Sequence, residues 1–179
     1  MQLARNSEHE YYFFGDDRDP LGSGIEPIPA GLCNHVTFTV CRTVHWGEHF
    51  AFQWRAVHEA LFGDFDAYIL EGGFTFPTNW LAIAAARIRG KRVLLYSHGW
   101  LHRESGCKAL FRRCFYRFAD GLLLYGNRAK EIGESYGFSP AKLYVAYNSL
   151  DDVSINQCRE RLTPALCDDF RREWFESYS

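Results

Sequence analysis

The chain has little of what marks a nucleic-acid binder, a membrane-spanning protein or a disulfide-stapled secreted domain. Twenty Lys and Arg stand against 22 Asp and Glu, a formal net charge of -2. No broad electropositive surface is available to a phosphate backbone, which argues against nucleic acid as the main partner. No apolar run approaches the roughly 20 residues of a spanning helix. Met1-Gln2-Leu3-Ala4-Arg5-Asn6 lacks the apolar core of a signal peptide, so the expected location is cytoplasmic. The six cysteines, Cys33, Cys41, Cys107, Cys114, Cys158 and Cys167, include no C-x-x-C pair and read as reduced thiols rather than zinc ligands or a disulfide framework. Three nucleotide and hydrolase signatures are also missing. Gly22-Ser23-Gly24 sits in a long polar loop with no helix opening behind it, and neither a phosphate-binding G-x-x-x-x-G-K-[ST] loop nor a G-x-S-x-G elbow occurs. A nicotinamide dehydrogenase, a P-loop enzyme and an α/β-hydrolase are therefore disfavoured, and no cofactor is expected.

What is present suits one well-packed domain: 179 residues, 47% hydrophobic and 17% aromatic. Tyr11 to Gly15 reads as a buried strand, and Pro20, Gly22, Gly24, Pro27, Pro29 and Gly31 break the loop after it. His35 to Cys41 alternates and is rich in β-branched residues, the pattern of a second strand. Phe50, Trp54, Val57 and Leu61 recur at helical spacing before Gly63. From there strand and helix alternate. Ala67–Leu70 is followed by a helix from Pro77 to Ile88, and Lys91–Tyr96 by a helix with Cys107, Leu110, Phe111, Cys114, Phe115 and Phe118 on one face. That stripe predicts a buried face including both cysteines, with Arg112, Arg113 and Arg117 on the solvated side. Gly121–Tyr125, a helix from Arg128 to Tyr136, and Leu143–Tyr147 complete the series. Alternation of this kind predicts an α/β domain with a doubly wound parallel sheet and helices on both faces. Residues 152–179 hold no further strand, only a helical stretch and then Thr163 capping a helix that runs from Pro164 through Trp174.

In an open parallel sheet the carboxyl ends of the strands face the ligand crevice. Here four successive ends carry Glu71-Gly72-Gly73, Ser97-His98-Gly99, Tyr125-Gly126-Asn127 and Asn148-Ser149. Glycine, serine and asparagine also form turns for purely structural reasons. Glu71 reads either as a solvated turn carboxylate or as a group presented to sugar hydroxyls, with the amides of Gly72 and Gly73 open to close approach by a ligand. His98 reads either as structural or as a hydrogen-bonding contact to a sugar or phosphate near neutral pH. His45 with His49, and His98 with His102, have the H-x-x-x-H spacing, yet neither pair has a third ligand, so no metal site is expected.

From about Tyr11 to Asp151 the order of segments resembles the N-terminal, acceptor-binding domain of GT-B fold glycosyltransferases of the glycosyltransferase family 4 type. The resemblance rests on Asp66–Gly73, Tyr96–Trp100, Phe118–Asn127 and Lys142–Asp151, the last a strand running into an Asn-x-x-Asp turn. It implies a Rossmann-like domain over residues 1–151 and a helical linker over 152–179. The implied activity is transfer of a hexosyl group from a nucleotide sugar to a glycan or lipid-linked acceptor. His98 would contact the donor sugar as the catalytic residue, and Glu71, Gly72, Gly73, Ser97, Gly99, Asn127 and Asn148 would bind substrate. No metal is implied, because helix dipoles and basic groups of a second domain stabilise the leaving diphosphate. A lipid-linked acceptor would bring the protein to the inner face of the membrane.

Two departures from the family pattern set further expectations. The family's first, central strand is not matched, so the strands at Tyr11 and Ala67 either pair directly or leave a gap between them. The E-x7-E motif of the donor domain is absent from the sequence. The chain alone is expected not to transfer sugar. The expectation is a transferase fragment, one half of a split enzyme whose donor domain lies on a separate chain, or a non-catalytic remnant or binding module. A small α/β cofactor binder is the remaining class.

Overall fold

The computed structural model describes residues 8–18, 37–46, 50–147 and 152–173. The chain divides into two compact units, Met1–Ala146 and Tyr147–Ser179. The first unit begins with β1 (Tyr12–Gly15) and β2 (Thr37–Val40), a parallel pair in which Phe13 lies opposite Phe38. Asp16, at the carboxyl end of β1, accepts the Thr43 amide at 2.6 Å. Burial raises its pKa, but the Thr43 bonds and Arg18 more than offset that and bring the carboxyl down to about 2.

β3 (Val44–Trp46) and β4 (Phe50–Phe52) form an antiparallel pair, and α1 follows over Trp54–Phe62. This corrects two expectations. Phe50, read as part of the helix, lies in a strand, because Phe50 to Phe52 pair across to Trp46 to Val44 and the helix starts only after Gln53. His45 is likewise a strand residue, so the His45 and His49 spacing does not place two imidazoles on one helix face; His49 itself lies outside the described residues.

The main sheet comprises β5 (Ala67–Glu71), β6 (Arg92–Ser97), β7 (Gly121–Leu124) and β8 (Leu143–Val145), all parallel and in chain order. The connections are α2 (Pro77–Ile88), α3 (Gly106–Arg117) and α4 (Asn127–Ser135). Parallel strands taken in chain order through right-handed crossovers put every crossover helix on the same side. The core agrees: one cluster joins Ala60 of α1, Ala82, Ile83, Ala85 and Ala86 of α2, Phe115 and Tyr116 of α3, and Ala129 and Ile132 of α4. Its strand members are Tyr68, Val93, Leu95, Leu122, Leu124 and Leu143. Those strand residues share one parity and so one face of the sheet. Ile69, Leu94, Leu123 and Tyr144, of the other parity, are exposed or half-buried. The α/β class and the parallel sheet match the sequence reading. Helices on both faces do not: among the described residues of this unit they cover one face only.

β1 and β5 do not pair with each other; β1 belongs to the β1–β2 pair and β5 ends the four-stranded sheet. Tyr12 and Phe14 of β1 instead meet the ring of Phe65, two residues before β5, at centroid distances of 5.3 and 5.8 Å.

The face that α3 turns inward is a second correction. Of the expected apolar stripe only Phe115 is fully buried; Leu110 and Phe111 are 54% and 62% exposed, Phe118 is exposed, and Cys107 and Cys114 are exposed rather than core filler. The buried side is Ala109, Phe115 and Tyr116, flanked by half-buried Arg112 and Arg113. Those guanidinium planes lie over the rings of Phe74 (4.8 Å) and Tyr136 (4.9 Å), so the arginines pack inward through cation–π contacts.

The second unit contains α5 (Asp152–Arg161) and α6 (Pro164–Arg171). The Thr163 hydroxyl accepts the Leu166 amide at 3.2 Å, the expected cap, with Pro164 at the first helical position. Trp174, expected to close this helix, lies outside the described residues. Among the described residues no helix is long and apolar enough to cross a membrane.

Candidate functional site

The carboxyl ends of β5, β6 and β7 come together, and their polar groups sort by the side of the sheet they occupy. On the helix-covered side most groups are engaged with one another, while buried Trp100 Nε1, Glu104 Oε2 and Arg112 Nε have no partner among the described residues. The Ser97 hydroxyl lies 2.8 Å from the Tyr116 hydroxyl and accepts the Gly99 amide at 3.0 Å. Arg112 donates to the Gly99 carbonyl at 3.0 Å and pairs with Glu104 at 3.1 Å. The Tyr136 hydroxyl bridges both the amide and the carbonyl of Glu104, at 2.6 and 3.0 Å. Trp100, 1% exposed, packs on Tyr116, Tyr136 and Phe138 beneath this knot. Burial pushes the Tyr116 phenol above its ordinary value, with the Ser97 hydrogen bond and Arg112 partly offsetting it.

Two glycines make this arrangement possible. A Cβ on Gly72 would stand 2.5 Å from the Ser97 Cβ, so the ends of β5 and β6 approach this closely only without a side chain there. Gly99 has φ of +66° and a Cβ on it would stand 2.7 Å from Leu124 Cδ2. A left-handed backbone and a tight neighbour both select glycine at that turn.

On the helix-free side the register aligns Glu71 with Tyr96 and Tyr96 with Leu123 across three strands. One pleat further toward the carboxyl edge, Tyr125 packs against both Tyr96 and His98, with ring centroids 4.7 and 4.1 Å away. Burial, then the neighbouring Tyr96 hydroxyl and the Glu71 carboxylate, push the Tyr125 phenol up to about 12. His98 and Glu71 are exposed. The carboxylate of Glu71 accepts from Asn79 Nδ2 at 3.3 Å, and the same amide donates to the Glu71 and Gly73 carbonyls at 2.9 Å each.

The residues singled out from sequence thus separate. Glu71 and His98 stand at one edge and face outward. Ser97, Gly72 and Gly99 hold the turns: the Gly72 amide donates to the Tyr96 carbonyl at 2.8 Å and is not open to a ligand, contrary to expectation. Gly73 is held through its carbonyl by Asn79. Asn127 is the exposed first residue of α4. Asn148 lies outside the described residues.

Sequence reading gave no site role to Arg112, Glu104, Tyr116, Asn79 or Tyr96, and named Tyr125 only as part of a strand end. Tyr96 and Tyr125 do carry a signal, since each lies two residues from a neighbouring apolar residue of the same sheet face, Leu94 and Leu123 respectively. A recess of about 250 Å³ lined by Arg103, Arg128, Glu131 and Ile132 lies beyond the helix-side knot and carries two cations against one carboxylate. No group of three or more His, Cys, Asp or Glu able to hold a metal exists among the described residues. Compared with family models, curated proteins and solved structures, the chain matches none.

Proposed function

We propose that this domain is the acceptor-side half of a glycosyltransferase, holding a glycan or the sugar head of a lipid-linked acceptor at the carboxyl edge of β5–β7. The observation that carries this reading is the shared edge of Glu71, Tyr96, His98 and Tyr125, where an exposed carboxylate and imidazole stand beside aromatic rings at the place where parallel sheets bind ligands. In the transfer step, an acceptor hydroxyl oxygen bonds to the anomeric carbon of a nucleotide sugar. The bond from that carbon to the diphosphate breaks, the nucleoside diphosphate leaves with the electron pair, and the hydroxyl proton goes to a base. In this reading Glu71 takes that proton and His98 hydrogen-bonds the donor sugar.

Calorimetry on the purified protein should show binding of neutral glycans. A radiolabelled assay should show no transfer from any nucleotide sugar by this chain alone, and transfer once a chain carrying a donor-binding domain is supplied. Turnover by the chain alone would overturn the acceptor-side assignment. Saturable flavin or nicotinamide binding without glycan binding would replace it with a cofactor binder.

A second reading, a sugar-binding module without catalysis, is favoured by the engagement of Ser97 and the Gly72 amide in holding turns. Glycan binding with no transfer under any supplementation would select it.

A further inference from the structure

We propose that Tyr96, Tyr125, His98 and the Glu71 carboxylate form a stacking site for a neutral pyranose ring. The inference rests on the sugar-handling reading above and adds the two tyrosines as specificity determinants.

The three rings form a ladder in which Tyr96 and His98, two residues apart at the end of β6, both pack tilted against Tyr125. Tyr125 is held by two ring contacts, so the cluster is a preorganised surface and a ligand meets it without first ordering its rings. The ladder continues an apolar surface, since Tyr96 lies in register beside Leu123, and Leu94 beside Ile69, on the same helix-free face. A pyranose presents a patch of C–H groups on one face and hydroxyls around its rim. Aromatic rings flanked by hydrogen-bonding groups match both features. The Tyr125 phenol, pushed up to about 12, stays protonated throughout the neutral range. The Glu71 carboxylate accepts, and the His98 imidazole can donate or accept.

The charge at the edge selects among ring-shaped ligands. A nucleobase also stacks on tyrosine, but a nucleotide brings phosphate, and among the described residues the register puts the Glu71 carboxylate on this face of the edge. Arg92 is on this face but at the amino end of β6, Arg112 is paired with Glu104 on the helix side, and Arg103 and Arg128 line the recess. A neutral polyol avoids the repulsion that a phosphate would meet.

The test is a titration of the ¹⁵N-labelled 179-residue protein, followed by amide shifts, with methyl β-D-glucopyranoside and, separately, adenosine 5′-monophosphate. The glycoside should bind with Kd of about 1–10 mM and move amides of residues 71–73, 96–98 and 125–127. Tyr125→Leu and Glu71→Gln should each weaken it about two- to tenfold, whereas Arg128→Gln in the recess should leave it unchanged. His98→Ala is exposed enough to fold whatever becomes of Tyr125→Leu and should also weaken binding. Three results overturn the ladder: no glycoside binding, binding indifferent to all three ladder substitutions, or tighter binding of the nucleotide at the same amides. Glycoside shifts centred on Arg103, Arg128 and Glu131 would remove the ladder while leaving sugar handling standing. Binding at the ladder with no transfer under any supplementation would keep the ladder and remove the transferase.

Discussion

The two faces of the β5–β8 sheet differ in how their polar groups are engaged. On the helix-covered face Ser97, Tyr116, Arg112, Glu104 and Tyr136 bond to one another and to the turn at Gly99. On the open face, among the described residues, the exposed Glu71 carboxylate accepts only from Asn79 at 3.3 Å, and no hydrogen bond is made by the exposed His98 imidazole. Groups whose bonds are already made cannot be recruited by a ligand without leaving a partner unsatisfied, a cost of about 1–3 kcal/mol per buried group. Trp100 Nε1, Glu104 Oε2 and Arg112 Nε stay buried on the covered face without a partner among the described residues, so the assignment of recognition to the open face rests on its exposed rings and side chains.

Substitutions on the two faces should separate accordingly. The largest effect belongs to Gly99→Ala, which forces an alanine to φ of +66° with its Cβ near Leu124. A loss of about 2–4 kcal/mol in urea unfolding is expected, and a loss below about 0.5 kcal/mol would mean the turn relaxes freely. Next is Arg112→Ala, which strips the Gly99 carbonyl and leaves Glu104 without its cation. It should cost about 1–3 kcal/mol, with Arg112→Lys recovering only part because a lysine cannot lie flat over Phe74.

Acid should act on the covered side too. Burial raises the Asp120 pKa, but the Val93 amide and Arg87 outweigh it, so the net value is below the ordinary one. A depressed folded pKa gives stability that is present above the ordinary value of 3.8 and is lost as pH falls through the lower folded value. Asp120→Asn should flatten that acid limb in a melting series between pH 5 and about 2; an unchanged limb would remove the Asp120 clamp. The smallest effect should come from the open face and the exposed thiols. Ile69→Thr, Cys107→Ser and Cys114→Ser should each change stability by no more than about 0.5 kcal/mol. A larger loss at Ile69 would mean that something covers this face.

The alternation from Ala67 to Val145 was legible in the sequence because each strand and helix there carries its own periodicity and its own stop, such as Pro77 opening α2. The β3–β4 pair was not, since three-residue strands leave too short a pattern to outweigh the helical spacing of Phe50, Trp54 and Val57. The rotation of α3 was misread for a chemical reason. Periodicity treats arginine as solvated, but Arg112 and Arg113 lay their guanidinium planes on Phe74 and Tyr136, which turns Leu110 and Phe111 outward. Within the candidate site, Glu71 and His98 could be found because strand ends are where parallel sheets place ligand contacts. The sorting of Ser97 to one side and Tyr96 to the other follows from strand parity, but only once the helices are known to occupy a single face.

The division between an architectural and a recognising face is tested most directly by photolabelling the intact chain with a neutral hexoside bearing a diazirine, followed by peptide mapping. Labelling should fall on the peptides carrying Tyr96, His98 and Tyr125 and be competed by unlabelled methyl β-D-glucopyranoside. Competed labelling confined to peptides around Glu104, Arg112 or Arg128 would place the ligand on the covered side and contradict the assignment of the open face.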